Sequence, residues 1–165
     1  MPADPAEGRE ALRLEEFREE HVKELVPMWR ESFEHGVGIK DPHPLAEQEQ
    51  YLVGKLVPSN AVRVAFLGEV IVGFVAATPE SVSQLYVRKG FGRRGIGSFL
   101  LDWAKSQSGG SLWLYTFARN EVARAFYERH GFVITARGFE PSWKLDDLRY
   151  EWVTIERPPT ASARP

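Results

Sequence analysis

The stretch 84–105, reading QLYVRKGFGRRGIGSFLLDWAK, constrains this chain more than any other. A short apolar run ends at Val87, a basic glycine-rich turn follows, and an amphipathic helix is predicted to open at about Gly95. Ile96, Phe99, Leu100, Trp103 and Ala104 recur at the i, i+3, i+4, i+7, i+8 spacing of one buried helical face. A strand end therefore runs into a helix start, where the first N–H groups lack an internal partner and the helix dipole adds partial positive charge. Glycines let an anion approach those groups, and Arg88, Lys89, Arg93 and Arg94 add full charges. The segment reads as a phosphate-binding turn.

The flanking segments set the architecture. Residues 11–14 read as a first strand. Val22, Leu25, Val26, Trp29 and Phe33 form a helical stripe, with Pro27 predicting a kink or a break inside it. Glycines, prolines and polar groups predict a loop over 34–44. A second helix is expected over 45–56, with Tyr51, Leu52 and Leu56 facing inward. Runs 61–67 and 70–77 predict an antiparallel hairpin about Gly68 and Glu69, and 81–87 forms the strand that enters the basic turn. After the helix come a strand over 112–117, a helix opened by Asn120 and closed by Gly131, and strands over 132–136 and 149–155. A loop carrying Phe139, Pro141 and Trp143 joins those last two. This order predicts a mixed α+β sheet in one domain over 11–156, with a flexible segment 1–10 and a disordered, proline-rich tail 157–165.

Composition narrows the function. With 43% hydrophobic and 27% charged residues, the chain reads as an ordinary soluble globular protein. A net charge of −2 argues against nucleic acid as a partner, so the basic cluster is a local feature. The absence of cysteine excludes disulfides, thiolate metal sites and a cysteine nucleophile. The first ten residues are polar and no run approaches the roughly 20 apolar residues of a membrane span, so no membrane partner and a cytoplasmic location are expected.

Gly90, Gly92 and Gly95 match the spacing of a dinucleotide fingerprint, but a hairpin precedes them and the next strand ends Tyr115–Thr116–Phe117, without the acid that holds a ribose. No Gly-Lys-Ser/Thr follows, which removes a P-loop. A glycine-rich connection with solvated arginines remains the plain alternative. Two further stretches alter the balance. Arg93–Arg94–Gly95–Ile96–Gly97–Ser98 resembles the second half of the coenzyme A pyrophosphate loop of the GCN5-related N-acetyltransferases (GNAT), and Gln84–Leu85–Tyr86–Val87 resembles the strand before it. Residues 120–132, NEVARAFYERHGF, resemble that family's downstream motif. The resemblance spans the chain from about Leu12 to Ile155. It implies the GNAT fold: a central, mostly antiparallel six- to seven-stranded sheet with splayed parallel middle strands, flanked by about four helices.

The resemblance also implies transfer of acetyl from acetyl-CoA to a primary amine in a ternary complex. Backbone of Leu85, Tyr86 and Val87 would hold the pantetheine arm and polarise the thioester. The turn Gly92, Arg93, Arg94, Gly95, Ile96, Gly97 and Ser98 would hold the pyrophosphate. Arg88, Lys89 or Arg124 would reach the outer phosphate. Tyr127 would protonate the departing thiolate, although an aromatic there also suits a core. Asn120 would contact the coenzyme or the splayed strand, or simply cap its helix. Two features depart from the family. The family's loop usually carries Gln or Arg three residues before its first conserved glycine, here Gly92, and in this chain Arg93 and Arg94 would supply that charge instead; Ser81 stands where the general-base glutamate is expected, with Glu80 on the opposite strand face.

Attack requires a neutral amine, so a base or a desolvating pocket is needed. The loop 34–44 carries Glu34, His35, Asp41 and His43; Glu34 and His35 are the candidate substrate residues, as a carboxylate for a cation and an imidazole for a proton. The His35–His43 spacing is poor for a metal, and none is expected. Trp29, Phe33, Phe139 and Trp143 are candidate walls, with core packing the better reading for Trp29 and Phe33. The favoured acceptor is a small amine or amino-acid-like molecule. A protein N-terminus or lysine, a non-catalytic acetyl-CoA-binding module and a nucleotide-binding oxidoreductase are the alternatives, and a homodimer is left open.

Overall fold

Residues 61–77 are almost uninterrupted in β-branched, aromatic and small apolar side chains, which suits strands covered on both faces. In the computed structural model, which describes residues 11–155, they are the middle of a four-stranded sheet. The chain runs β1 (Leu12–Glu16), α1 (Val22–Val37), α2 (Leu45–Tyr51), a wider π-type turn (Leu52–Leu56), α3 (Val57–Ser59), β2 (Ala61–Leu67), β3 (Val70–Ala77) and β4 (Val82–Val87). It continues through α4 (Ile96–Gln107), β5 (Ser111–Phe117), α5 (Glu121–Arg129), β6 (Val133–Glu140) and β7 (Leu145–Val153). The first sheet has the order β1-β2-β3-β4 and the second β5-β7-β6, each antiparallel throughout.

Strand alternation divides the core in two. Val62, Val64, Phe66, Ile71, Phe74 and Ala76 face α1 and the π-type turn, meeting Leu25, Val26, Trp29, Leu52 and Leu56. Ala65, Val72 and Val75 face the other way, onto Ile96, Leu100, Leu101 and Ala104 of α4. That second cluster continues into Leu112, Leu114, Phe132, Leu148 and Tyr150, so one apolar layer joins both sheets. The mixed α+β fold, the hairpin about Gly68 and the splayed parallel middle strands all match the sequence reading. Among the described residues, no helix is long and apolar enough to cross a membrane.

Several local expectations are corrected. Pro27 does not break α1: both Pro27 and Lys23, whose carbonyl loses its helical partner, lie on the exposed face, open to solvent, while Leu25, Val26, Met28 and Trp29 stay buried. The helix runs on to Val37 and stops at Gly38 in a left-handed conformation (φ 78°), so Glu34 and His35 belong to its last turn and not to a loop. Tyr51 is exposed, whereas Leu52 and Leu56 are buried as expected. The final strands are longer than predicted and leave only residues 141–144 between them. Phe139 pairs with Asp146 inside that ladder, a partnership that the adjacent Gly138 and the acidic pair Asp146–Asp147 conceal in the sequence. The expectations for 1–10 and 157–165 lie outside the described residues.

Candidate active site

β4 and β5 run parallel but touch only at their starts. A single bridge joins Ser81 to Trp113, supported by the Trp113 N–H donating to the Glu80 carbonyl at 3.0 Å. Past that point the strands diverge. β4 is bent by a bulge: Ala76 pairs with Gln84 and Ala77 with Val82, leaving Ser83 outside the ladder. The gap opens into a cleft of about 760 Å³, with 82–86 on one side and 114–117 on the other. Leu85, Tyr86, Asn120 and Tyr127 all line it. The Val87 carbonyl, by contrast, accepts from the Ser32 hydroxyl at 2.5 Å.

The basic turn leaves β4 with the Arg88 N–H donating to the Val72 carbonyl at 2.7 Å, and Gly90, Arg93 and Gly95 all take positive φ (88°, 62° and 79°). Phe99 N–H donates to the Gly95 carbonyl at 2.9 Å, and no side chain caps α4. The N–H groups of Ile96, Gly97 and Ser98 therefore stand at a helix start with no capping side chain. Gly97 lies against α5, since a Cβ there would sit 3.0 Å from the Phe126 ring. Ser98 Oγ lies 2.9 Å from His130 Nε2, and His130 Nδ1 lies 2.7 Å from the Phe126 carbonyl, to which it donates. Two of the three proposed phosphate cations are already committed. Arg88 donates to the Ile71 carbonyl at 2.6 Å and approaches Glu24 at 3.7 Å. Arg124 donates to Tyr150 Oη at 3.3 Å and to the Ala118 carbonyl at 3.1 Å. Lys89 remains exposed, as do Arg93 and Arg94.

Tyr127 is 7% exposed and packs against Phe126, Phe132 and Tyr150 with ring centroids 5.2, 5.6 and 6.3 Å away. Burial pushes its phenol well above the usual range, and the nearby Tyr86 adds to the shift. Burial also lifts Tyr86, to about 12, against a smaller lowering by its hydrogen bond with Trp29. Tyr127 thus packs in the core and also borders the cleft, in an apolar setting that raises its phenol's pKa. Asn120 caps α5, its Oδ1 accepting from the Ala123 N–H at 3.2 Å. Its amide lies where a Cβ on Gly36 would come within 3.0 Å, so the cap also spaces α5 from α1.

The far end of the cleft is built from α1, α2, the segment after α1 and the β6–β7 turn. Asp41, Glu47, Glu140 and Asp147 line it, together with Trp29, Phe33, Tyr51 and Trp143, and no Lys or Arg lines any part of the cleft among the described residues. Sequence spacing did not single out Glu47, Glu140 or Asp147, because nothing local links these three segments. Glu34 and His35 are not brought to this cleft; they border a separate depression with Lys40 and Lys89. Glu34 acts on the cleft only at one remove, accepting from the Asp41 N–H at 3.2 Å. Ser81, at the expected base position, is buried with its hydroxyl 2.9 Å from that of Thr78, and Glu80 points to solvent.

A family model described as an acetyltransferase (GNAT) domain matches residues 58–134. Over that segment the chain matches the GNAT acetyltransferases. It is 28% identical over 138 residues to the peptidyl-lysine N-acetyltransferase YjaB of Salmonella typhimurium, covering 83% of this chain and 90% of that one. Its fold resembles that of apo YjaB from Escherichia coli, with a TM-score of 0.72, 24% identity, and coverage of 88% and 99%. It also resembles PaiA N-acetyltransferase from Thermoplasma acidophilum in complex with coenzyme A, with a TM-score of 0.67, 18% identity, and coverage of 87% and 99%. The matched segment runs from α3 into β6 and holds the basic turn, Asn120 and Tyr127. The acidic far end of the cleft, supplied by α1, α2 and the β6–β7 turn, lies outside it.

Proposed function

We propose that this GNAT protein transfers the acetyl group of acetyl-CoA to a cationic primary amine carried on an apolar stem. The observation that carries the acceptor class is the cleft's far end: Glu47, Glu140 and Asp147 beside an Asp41 that Arg30 pairs from behind, no lysine or arginine in the lining, and a wall of Trp29, Phe33, Tyr51 and Trp143. Such a site favours an ammonium group and disfavours anions, while the aromatic faces add attraction for a cation.

The residues fit the coenzyme at the other end. The uncapped N–H groups of 96–98, with Arg93, Arg94 and Lys89, suit a diphosphate. The edge of β4 that faces the gap, with Leu85 and Tyr86, suits an extended amide-bearing arm and offers N–H groups to the thioester oxygen. Tyr127 holds its proton through the working pH range and gives it to the sulfur as the carbon–sulfur bond breaks. Because its phenol is a weakened acid, the phenolate must be refilled at once from the nitrogen of the collapsing adduct. Asn120 acts by holding α5 and the Tyr127 ring in place.

A small amine or amino-acid-like molecule is the favoured acceptor. The name of the Salmonella relative favours a second reading, the side-chain amine of lysine in a peptide, which presents the same cation on an aliphatic stem. A thiol-release assay over a panel of small diamines, amino acids and lysine peptides, with acetyl-CoA in excess, tests both. Cationic amines should turn over fastest, weakly basic amines that are neutral at the assay pH more slowly, and anionic acceptors not at all. Tyr127→Phe should slow the reaction roughly 10²–10⁴-fold. Tight acetyl-CoA binding by calorimetry without turnover of any amine would refute catalysis and leave a coenzyme-binding module.

A further inference from the structure

The reaction needs a group that removes a proton from the incoming ammonium, and neither Ser81 nor Glu80 can do so. The segment after α1 supplies a different one. Asp41 Oδ1 lies 2.6 Å from His43 Nδ1 and also accepts from the His43 N–H at 2.9 Å. A carboxylate oxygen only accepts, so Nδ1 donates, and in the neutral ring Nε2 then keeps its lone pair. The Asp41 side chain is 11% exposed and is held from behind. Arg30 Nε lies 3.4 Å from Asp41 Oδ2, Arg30 Nη1 donates to the Asp41 carbonyl at 3.5 Å, and Gln48 Oε1 accepts from Arg30 Nε at 2.9 Å. Glu34 fixes the Asp41 N–H. The imidazole stands edge-on to Trp143, with centroids 5.7 Å apart, and its side chain is 56% exposed within the acidic end of the cleft.

We infer that His43, oriented by Asp41 and the half-buried Arg30, is the base that deprotonates the amine acceptor. The inference rests on the acetyltransfer reading above and adds the residue that completes it. The acceptor's ammonium gives one proton to His43 Nε2. The freed amine lone pair forms the carbon–nitrogen bond to the thioester carbon. The carbon–sulfur bond breaks, the sulfur takes the Tyr127 proton, and the second nitrogen proton restores Tyr127. His43 then releases its proton to solvent through its exposed edge, leaving amide, thiol and one proton. Asp41 is a positioning residue: it sets the tautomer without touching the acceptor. The other charged groups at this end, Glu47, Glu140 and Asp147, attract the cation. Glu140 is partly occupied, accepting from the Trp143 N–H at 2.6 Å.

The test has two arms. Nitrogen-resolved NMR of the histidine rings should show the Nδ1–H tautomer for His43 in the wild-type protein and its loss in Asp41→Asn. In the thiol-release assay, His43→Gln should slow acetylation of a strongly basic amine roughly 10²–10⁴-fold. It should flatten the acidic limb of the rate–pH profile and leave a weakly basic amine, already neutral, almost unaffected. Added imidazole should rescue His43→Gly. Equal losses for both amine types, a wild-type rate in His43→Gln, or an Nε2–H tautomer would each overturn the assignment. A wild-type chain that acetylates no amine would instead sink the parent reading, and this proposal with it.

Discussion

Gly73 offers the sharpest test of how the fold sets the site. It pairs with Val87 in the β3–β4 ladder, and no left-handed backbone explains the glycine. Space does: a Cβ would stand 2.6 Å from the Tyr86 carbonyl oxygen, 3.0 Å from Leu100 Cδ1 and 3.4 Å from Ile96 Cγ2. The first of these is backbone held in a ladder and cannot rotate aside. Gly73→Ala must therefore push β3 and β4 apart by about 0.8 Å, the difference between 2.6 Å and the 3.4 Å at which ordinary contact begins. Overpacking of this kind costs about 1–3 kcal/mol. A less flexible unfolded chain offsets roughly 0.4–1 kcal/mol of it, leaving a net loss of about 1–2 kcal/mol. Urea unfolding should show a lower midpoint at unchanged m-value. Because the strain falls on the strand that faces the gap, acetyl-CoA affinity by calorimetry should also drop severalfold. Gly54→Ala, where nothing lies within 4 Å of the added carbon, is the control and should cost nothing. A Gly73→Ala protein as stable as wild type would show that the β3–β4 spacing is softer than this argument allows.

Other predictions follow from single contacts. Asn120→Ala removes the α5 cap and should cost about 1 kcal/mol by urea unfolding, with a fall in kcat beyond the stability loss if the cap also aims Tyr127. Lys89→Ala should weaken acetyl-CoA binding while leaving stability within about 0.5 kcal/mol. Arg88→Ala, which severs ties to Ile71 and Glu24, should lower the urea midpoint instead. Tyr86 and Tyr127 should stay protonated in the folded chain above the ordinary phenol range, so near-ultraviolet titration should show part of the tyrosinate signal only on unfolding. Their raised folded pKa values mean that the native state holds more protons than the unfolded one above about pH 10. Stability should therefore fall as pH rises from there toward the value of about 12 for Tyr86.

What the sequence determined by itself is what short spacing and backbone chemistry control. The strand–turn–helix about Gly95, the hairpin at Gly68, the Asn120 cap and the placement of Tyr127 after it each depend on residues within a few positions of one another. Only the tertiary structure decided the rest. Whether Arg88 and Arg124 face a phosphate or the protein depends on carbonyls of Ile71 and Ala118 and on Tyr150, which no local pattern pairs with them. The acidic cleft end gathers Asp41, Glu47, Glu140 and Asp147 from segments nearly a hundred residues apart. They meet because a bulge at Ser83 turns β4 away from β5, and because β6 and β7 extend far enough to carry their turn back to α1. Long-range register, not composition, puts those carboxylates and His43 around one space.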